Sequence, residues 1–310
     1  MPEQRIVYRP MTPADLGAAA YIRKSALDWL ARSEGRDPNP WHARAPHHLA
    51  HILTTDAGGS WVAEIEGLVV GFSQAIVRGN IWFLAQLFVQ PEVHAHGAGR
   101  ELLSRAKAYG ATRGATIYSV ISSTSPVAQS LYMREGMFAM GIGYAIAGRV
   151  DALLRLPEAD ATKKKIVDCA GWQDRIAALD LEVFGAERRE DHALMFASFP
   201  ASPWARTSFG LNRDGELAGY GYADDVDGTG WIAPIAAYDP ADQVPLVRMA
   251  GDWLAQREID EASMWVLSQN ATLLAALLGV GWRINRWSFF LANQAFGKFD
   301  RYHPFNGILL

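Results

Sequence analysis

Two glycines, Gly97 and Gly99, stand between a run of apolar residues and a run with helical periodicity. The apolar run, 81–89, is rich in residues that favour β-strands, and Pro91 stops it. Apolar residues then recur at the spacing of one helix face, at Leu102, Leu103, Ala106 and Tyr109. A helix start carries unpaired N–H groups and partial positive charge, and glycines let a ligand approach closely. This order therefore predicts a site for a phosphate or pyrophosphate.

Side chains beside the glycines could add to such a site. Arg100, in the predicted first helical turn, can reach a phosphate, although surface arginines are common. His94 and His96 could pair with phosphate oxygens. For His94 this interpretation and an ordinary loop position are equally open, whereas an ordinary position is favoured for His96.

A second segment, 125–137, combines a predicted helix with a tyrosine. Ala128, Leu131 and Tyr132 follow helical spacing, and Gly136 stands where a glycine commonly ends a helix. A phenol has an unperturbed pKa near ~10, so Tyr132 would stay protonated at neutral pH and could donate a proton. A tyrosine that only packs in the core is the alternative.

The two segments resemble the signatures of the GNAT superfamily of N-acetyltransferases. In that family a strand ending in Val-x-Pro-Glu is followed by the pattern Arg/Gln-x-x-Gly-x-Gly/Ala. Here Val89, Pro91 and Glu92 are followed by His94-Ala95-His96-Gly97-Ala98-Gly99. The segment 125–137 is similar to the family's Ala-x-x-Leu-Tyr-x-x-x-Gly helix. Two positions depart from the patterns, because His94 replaces Arg or Gln and Ser125 replaces a frequent Asn.

The resemblance implies a cofactor, acetyl-CoA or coenzyme A, bound by the end of the strand, the glycine loop and the start of the second segment. The implied cofactor-binding residues are Leu87, Phe88, Val89, His94, Ala95, His96, Gly97, Ala98, Gly99, Arg100 and Ser125. A backbone N–H within 87–89 would polarise the thioester carbonyl. Tyr132 would be catalytic, as the general acid that protonates the leaving thiolate.

The acceptor side is less determined by the resemblance. In the family a helix–loop–helix covers the acceptor, and the implied substrate contacts here are Asp28, Glu34, Trp41 and Gln86. The strand before the glycine loop often carries a carboxylate in this family, whereas this chain has Ala85 and Gln86. Gln86 can orient an amine or a water but cannot usefully accept a proton. Two sources of base stay open, solvent before binding, or a water-mediated contact from Glu64, Asp28, Glu34 or His42.

Metal and thiol chemistry are weakly indicated. His47 and His51 are four residues apart and could ligate a metal from one helix face. No Glu or Cys completes a zinc signature, so surface or capping histidines are favoured and no metal is expected. Cys169 is the single cysteine, which excludes an intrachain disulfide. A buried or linker position is favoured over a nucleophilic role, because no His or Asn partner is visible.

Composition limits the function classes. The 310 residues are 50% hydrophobic and 20% charged, which is ordinary for a globular protein with room for two domains. The net charge of -4 argues against a nucleic-acid partner. No run is long enough to span a membrane and no signal-peptide core is visible. We therefore expect a cytoplasmic protein with a small-molecule amine as substrate, no nucleic-acid or membrane partner, and a homodimer as an open alternative.

The second half of the chain repeats the predicted element order of the first half, which implies duplication. Aligned on Gly281 and Gly136, the second copy has Leu277 in place of Tyr132. It therefore lacks the residue that could act as an acid.

The second copy also lacks the glycine pair, and Asp239 and Asp242 near that position would repel a pyrophosphate. The predicted fold is α+β, with two tandem GNAT-like domains, each a mixed, mostly antiparallel sheet flanked by helices. The N-terminal domain, 1–150, would bind the cofactor and be catalytic. Residues 151–165, which include a run of lysines, would be a solvated linker, and 166–310 would be a degenerate C-terminal domain.

The leading hypothesis is an acetyl-CoA-dependent N-acetyltransferase in which an amine attacks directly in a ternary complex. A non-catalytic acyl-CoA-binding or regulatory module is one alternative, kept open by His94 and by the missing carboxylate at 85–86. A tandem enzyme that resembles mycothiol synthase is the other. It would place the activity in the second domain, whose motif is poor.

Overall fold

The structure, a computed structural model, describes residues 5–38, 47–197, 205–305 and 307–309, except for the side chains of 94–96. The chain forms two compact units. The first unit comprises 1–120 and 125–137, and the second comprises 121–124 and 138–310. The boundary at 137 comes before the strand that the sequence assigns to the end of the N-terminal domain.

The first unit contributes neighbouring strands in the order β1-β2-β3-β4-β5. They are β1 (Val7–Pro10), β2 (Trp61–Ile65), β3 (Leu68–Arg78), β4 (Ile81–Val89) and β5 (Ile117–Ser122). Pairing is antiparallel from β1 to β4 and parallel between β4 and β5. The long apolar runs of β3 and β4 are those of central strands covered on both faces.

Helices cover both faces of these strands. They are α1 (Leu16–Ser33), α2 (His47–Thr55), α3 (Ala98–Thr112) and α4 (Pro126–Arg134). Adjacent residues of a strand point to opposite faces. Ser73 Oγ donates to Leu102 O of α3 at 3.2 Å, and Gln74 Nε2 donates to Leu49 O of α2 at 2.9 Å. Helix α3 therefore lies on one face of β3, and α2 lies on the other.

The apolar core follows the same division. The core toward α1 and α2 contains Met11, Ala19, Ile22, Leu49, Val62 and Phe72, and the core toward α3 contains Ala63, Val70, Val89, Val93, Ala98 and Leu102. Burial of these side chains on both faces fixes the register of β3 and β4, because a one-residue slip would exchange the two faces.

Helix α1 begins after a local capping arrangement. Thr12 and Asp15 form a capping box around the short 3-10 turn Pro13–Asp15. Two guanidinium nitrogens of Arg9 donate to the Asp15 carboxylate at 2.7 Å, and Arg9 Nε donates to Glu64 of β2 at 3.0 Å. The hydrogen bonds from Arg9 lower the pKa of Asp15 to about 2. This group ties the start of α1 to the edge of the sheet.

The second unit contributes strands in the order β12-β6-β11-β10-β9-β8-β7, with β13 on β10. Its strands are β6 (Phe138–Arg149), β7 (Lys163–Val167), β8 (Ala205–Arg213), β9 (Glu216–Val226), β10 (Thr229–Ala237), β11 (Glu261–Leu267), β12 (Arg283–Ala292) and β13 (Tyr302–His303). Its helices are α5 (Val150–Leu153), α6 (Gln173–Val183), α7 (Arg189–Phe196), α8 (Gln243–Gln256) and α9 (Ala271–Gly279). From β7 to β12 the elements repeat the order from β1 to β6, which confirms the predicted α+β class and its internal repeat. In the part of the chain that the structure describes, no helix is long and apolar enough to cross a membrane.

Strand β6 falls inside the predicted N-terminal domain, 1–150, but belongs to the second unit. It pairs with β11 and β12. The sequence assigned it to the N-terminal domain because it follows α4 in the chain. The choice of partner strand is made by tertiary packing, so the expected domain end at 150 does not coincide with the boundary of the units.

The predicted linker, 151–165, is partly structured. Helix α5 begins at its start, and strand β7 begins at Lys163 and pairs with β8. The Lys163 side chain is 6% exposed and forms an ion pair with Asp242. The lysine run therefore begins an edge strand, in which Lys164 and Lys165 are exposed to solvent as predicted and Lys163 is not.

We expect Asp15→Asn to lower the free energy of unfolding by about 1–2 kcal/mol at pH 7, because it breaks a charged, largely buried hydrogen-bond group. The folded pKa of about 2 lies below the ~3.9 of an unfolded aspartate. The contribution is therefore complete above ~pH 5 and is lost as the pH falls toward 2. Urea unfolding of both proteins at pH 7 and pH 3 measures it. A difference in the free energy of unfolding between wild type and variant that is the same at pH 7 and at pH 3 would contradict this account.

Candidate functional site

Strands β4 and β5 separate part of the way along their length. Their parallel pairing joins 81–84 to 117–120. On its other edge, β4 stays paired with β3 as far as Val89, with a register shift between Gln74 and Ala75 that leaves Ala85 as a bulge. Among the described residues, no strand of the first unit pairs with the β5-side edge of 85–88. We call this the open edge.

The backbone N–H of Leu87 points to the open edge. Gln90 N–H donates to Val70 O of β3 at 2.8 Å. Peptide groups alternate between the two edges of a strand, so Phe88 and Gln86 face β3 as Gln90 does, and Leu87 faces away. A donor that the sheet does not use is therefore present at the position that the resemblance requires.

The glycine loop connects the end of β4 to α3. Residues Pro91–His96 form a 3-10 helix, and Gly97 follows with φ of 77°, in the left-handed region that favours glycine. The N–H groups of Arg100 and Glu101 donate to Gly97 O at 3.1 and 3.2 Å. The N–H groups of the two helical residues before Arg100 have no acceptor within the helix. They form the kind of helix start that binds anions.

A side chain at Gly99 would project into free space. A Cβ there would meet nothing closer than Val89 Cγ2 at 3.9 Å and Leu131 Cδ2 at 4.0 Å. The packing of the protein does not require glycine at this position, whereas a ligand lying on the helix start would. Val89 ends β4, Gly99 lies at the start of α3, and Leu131 lies on α4. These distances therefore show that the three elements meet here.

The other predicted cofactor-binding residues lie on these elements. Leu87 and Phe88 are half-buried, Val89 and Ala98 are buried, Arg100 is exposed, and Ser125 is the N-cap of α4. The side chains of His94, Ala95 and His96 lie outside the described part of the structure. The structure therefore brings the backbone of the predicted set together and leaves the roles of the two histidines as predictions.

Tyr132 lies on α4, directly after Leu131, and 6% of it is exposed. Burial raises the pKa of its hydroxyl well above the ordinary value of 10.0. The phenol therefore stays protonated at neutral and moderately alkaline pH. In this state it can donate a proton but cannot act as a base.

Two predicted acceptor contacts lie on or beside α1. Asp28 is buried, and Lys24 Nζ pairs with its Oδ2 at 2.5 Å. Glu34 follows the C-terminal end of the helix and pairs with Arg36 near the surface. Asp28 is thus placed toward the interior of the first unit, whereas Glu34 is not.

The remaining acceptor predictions differ in their outcome. Gln86 is buried in β4, at the start of the open edge. Glu64, considered as a base through water, is engaged by Arg9. Trp41 and His42 lie outside the described residues. Gln74, which sequence reasoning missed, lies opposite Gln86 in the ladder. The only sequence signal for it was a polar residue inside an otherwise apolar strand.

The structure does not assemble a metal site from the predicted histidines. Within the described residues, no group of three or more His, Cys, Asp or Glu side chains is placed to hold a metal ion. Cys169 is fully buried, and burial raises the pKa of its thiol to about 12. Because the thiolate is the reactive form, this cysteine is a structural residue.

The second unit has the same strand layout at the corresponding place. Ala237 lies opposite Gly219 in the β9–β10 ladder, as Val89 lies opposite Gly71 in the β3–β4 ladder. Strand β10 also carries a register shift, within 232–235. The end of β10 is therefore the counterpart of the open edge.

In the second unit this edge is filled by the chain itself. Strand β13, Tyr302–His303, pairs with 235–236 of β10. Ala237 N–H donates to Arg301 O at 3.0 Å. A strand of only two residues has no periodic pattern by which the sequence could predict it.

The start of α8 is also used internally. Asp239 Oδ1 accepts a hydrogen bond from Ala241 N at 2.9 Å, and Gln243 Nε2 donates to Asp300 O at 2.7 Å. The helix start that corresponds to the glycine loop is thus capped by a carboxylate and covered by the segment that leads into β13.

Comparison with known proteins agrees with this architecture. Residues 24–137 match the model of the Acetyltransferase (GNAT) family. No curated protein is significantly similar to the chain. A putative acetyltransferase from Pyrococcus horikoshii is 15% identical, with 100% of this chain and 98% of that chain covered at a TM-score of 0.73. A GCN5-related N-acetyltransferase from Sphaerobacter thermophilus is 17% identical, with 94% and 96% covered at 0.63.

A third solved structure is a tandem GNAT protein from the clavulanic acid biosynthesis pathway. It is 15% identical, with 93% of this chain and 98% of that chain covered at a TM-score of 0.62. Residues 24–137 therefore form a domain of the GNAT acetyltransferase family, and the whole chain has the fold of tandem GNAT proteins. The resemblance predicted from the two sequence segments is confirmed.

We expect Cys169 to be unreactive toward the thiol reagent DTNB in the folded protein, because at pH 8 only about one thiol in 10,000 would be ionised at a pKa of about 12. Absorbance at the released thiolate band should show no labelling in buffer and one thiol per chain in guanidinium chloride. Rapid labelling of the native protein would show that the cysteine is accessible and would reopen a nucleophilic role.

Proposed function

We propose that the chain is an acetyl-CoA-dependent N-acetyltransferase whose first unit transfers an acetyl group to an amine of a small-molecule acceptor. The proposal is carried by three features that meet within the GNAT-family segment, namely the open edge of β4, the glycine start of α3, and Tyr132 on α4. The match of 24–137 to the acetyltransferase family model supports acyl transfer in general. These features favour a CoA thioester as the donor.

The residues present fit acetyl-CoA or coenzyme A. The start of α3 offers N–H groups and the helix dipole to a pyrophosphate, and the free space at Gly99 leaves room for it. Arg100 adds positive charge in the same turn, and 94–96 would contribute through their backbone. The open edge offers unused peptide groups to the amide-bearing arm of the cofactor. When bound, acetyl-CoA supplies the acetyl group as an activated thioester.

Two groups of this chain would act on the reacting atoms. The N–H of Leu87 would donate a hydrogen bond to the carbonyl oxygen and stabilise the negative charge that develops there. The hydroxyl of Tyr132 would hold the proton that the departing sulfur takes up. Burial supports this role, because it keeps the phenol protonated over the working pH range.

A general base is not required from the strand. The position where the family often has a carboxylate holds Ala85 and Gln86, neither of which accepts a proton usefully. We propose that the acceptor binds as the free amine after losing its proton to solvent, and that Gln86 orients it. The rate should therefore rise with pH up to the pKa of the acceptor amine.

The proposal assigns one cofactor to each chain. In the second unit, β13 fills the counterpart of the open edge, and Asp239 caps the helix start where an anion would bind. Both observations disfavour an active site in the second unit.

A non-catalytic acyl-CoA-binding module is the second candidate, favoured by the neutral Gln86 at the position of the usual carboxylate. Turnover with an amine panel separates it from the enzyme.

We expect calorimetry to detect one acetyl-CoA site per chain and Gly99→Leu to weaken its affinity by about tenfold or more, equivalent to ~1.4 kcal/mol. The leucine would enter the free space at the helix start, where a Cβ has no contact closer than 3.9 Å, so the fold should be retained. Circular dichroism and the melting temperature check that retention.

Gly17→Leu is the matched control for this experiment. Gly17 also lies in the first turn of a helix of the first unit, and a Cβ there has nothing within 4 Å. This variant should bind acetyl-CoA as the wild type does. Two sites per chain would contradict the assignment of the second unit, and undiminished binding by Gly99→Leu would place the cofactor elsewhere.

We expect Tyr132→Phe to reduce kcat by about 100-fold and to leave acetyl-CoA affinity unchanged, because it removes a proton donor and retains the ring. Since burial raises the pKa of Tyr132 above 10.0, the wild type should not lose activity through this group below ~pH 10. Steady-state rates between pH 6 and 9.5 provide the measurement. An alkaline loss of activity that is present in the wild type and absent in the variant would mean that Tyr132 ionises in this range.

A further inference from the structure

Gln86 is buried in β4 with both polar atoms of its side chain unused. The residue is 2% exposed, and neither Oε1 nor Nε2 has a hydrogen-bond partner among the residues that the structure describes. Most buried polar groups in folded proteins are paired, since an unpaired one is destabilising. This side chain therefore points to a ligand that supplies both a donor and an acceptor.

The cross-strand neighbour of Gln86 shows on which face this ligand lies. Gln74 is directly opposite in the ladder, so the two side chains share one face. Gln74 is fully buried, and its Nε2 donates to Leu49 O of α2 at 2.9 Å while its Oε1 has no partner. The side chain of Gln86 therefore also lies on the face that carries α2.

Helix α2 carries a fourth unpaired atom, on the residue before Leu49. His48 precedes Leu49, and its Nε2 is buried without a partner. Burial and the nearby positive charge of Arg23 lower the pKa of His48 well below 6.5, so its imidazole is neutral at pH 7. Gln74 and Gln86, which we call the polar cluster, offer hydrogen bonds and no net charge.

The charged side chain predicted for this side of the unit is already engaged. Asp28 of α1 is paired with Lys24. A positively charged ligand group would therefore be buried against the polar cluster without a counter-charge from Asp28, which is unfavourable. The part of the ligand that meets Gln86 is expected to be neutral and polar.

We infer that Gln86 binds the acceptor through an amide group of that acceptor, so that the substrates are amines with a neighbouring carboxamide or peptide group. This inference rests on the proposed acetyl transfer. A glutamine side chain presents a donor and an acceptor side by side, and an amide presents the same pair in reverse order. A carboxylate or an ammonium group can satisfy only one of the two atoms.

The position of Gln86 in the strand fits this role. It precedes Leu87, whose N–H faces the open edge, and consecutive Cα atoms are ~3.8 Å apart. An acceptor with its amide on Gln86 and its amine one or two bonds away would hold the amine nitrogen near that N–H. α-Amino amides, such as amino-acid amides and peptide N-termini, have this arrangement.

An acceptor panel of glycinamide, ethanolamine and propylamine with acetyl-CoA tests the inference. For each amine the ratio of kcat/KM between wild type and Gln86→Leu is taken, which cancels the differences in amine pKa. The ratio should be about tenfold or more for glycinamide, mainly through KM, and clearly smaller for propylamine, which has no amide to place on Gln86. Equal ratios for the three amines, or a larger ratio for ethanolamine, would overturn the amide class.

Calorimetry with acetyl-CoA separates the two proposals. A wild type that binds acetyl-CoA and acetylates propylamine or ethanolamine but not glycinamide overturns the inference alone. A wild type that binds no acetyl-CoA overturns the proposed function and, with it, the inference. Gln86→Leu should bind acetyl-CoA with the affinity of the wild type, since the inference assigns Gln86 to the acceptor.

Thermal unfolding without any ligand gives a second test. Gln86→Leu should raise the melting temperature by roughly 2–4 °C, because it removes two unpaired buried atoms and keeps the volume. Gln74→Leu, on the opposite strand, should lower it, because it removes the side-chain hydrogen bond from Gln74 to Leu49 O. A lower melting temperature for Gln86→Leu would mean that its amide is paired in the folded protein and would overturn the inference.

Discussion

The separation of β4 from β5 is the constraint on which the first unit depends. Their parallel pairing ends at 84 and 120, and the bulge at Ala85 shifts the register of β4 against β3. Peptide groups beyond that point cannot be buried unpaired without cost, so the edge requires water, a ligand or another strand. The glycine start of α3 follows directly after this edge, and α4 approaches it through Leu131. One irregularity in the sheet therefore sets the position of every element that the proposed chemistry uses.

In the second unit, a later segment of the chain pairs with the strand edge that corresponds to the open edge. Strand β13 pairs with the corresponding edge of β10, and aromatic rings hold the segment around it. Phe299 packs edge-to-face on Phe290 with ring centroids 4.9 Å apart, and the Arg188 guanidinium lies 4.7 Å from the centroid of the Tyr302 ring. Such a strand satisfies the backbone permanently, whereas a ligand satisfies it only when bound. The two copies of one layout thus differ in whether the edge is available.

The two units also differ in the polar groups buried on one face of the sheet, the face that carries Phe72 in the first unit and Tyr220 in the second. In the ladder, Tyr220 takes the place of Phe72, and its hydroxyl donates to Asp180 at 2.5 Å. Asp180 is fully buried and also accepts from Arg188 Nε at 3.1 Å, and His192 Nε2 lies 2.7 Å from it. Burial opposes the charge of Asp180, but Arg188 and His192 hold its pKa below the ordinary value. The second unit fills this face with paired charges, while the first leaves neutral polar atoms unpaired, as expected for a ligand site.

The sequence by itself determined the elements, the duplication and the backbone of the candidate cofactor site. Strands β4 and β10 match their predicted bounds because each is an apolar run limited by turn-forming residues, and the glycine loop has a strong local preference. The partners of β6, the pairing of the two-residue β13 and the burial of Lys163 were decided by tertiary structure, because hydrogen bonds between strands join residues far apart in the chain. Tertiary structure likewise decided that the two polar side-chain atoms of Gln86 are unpaired. Its amide is an ordinary polar group in the sequence, and only the packing of α1, α2 and β3 around it removes water without supplying a partner.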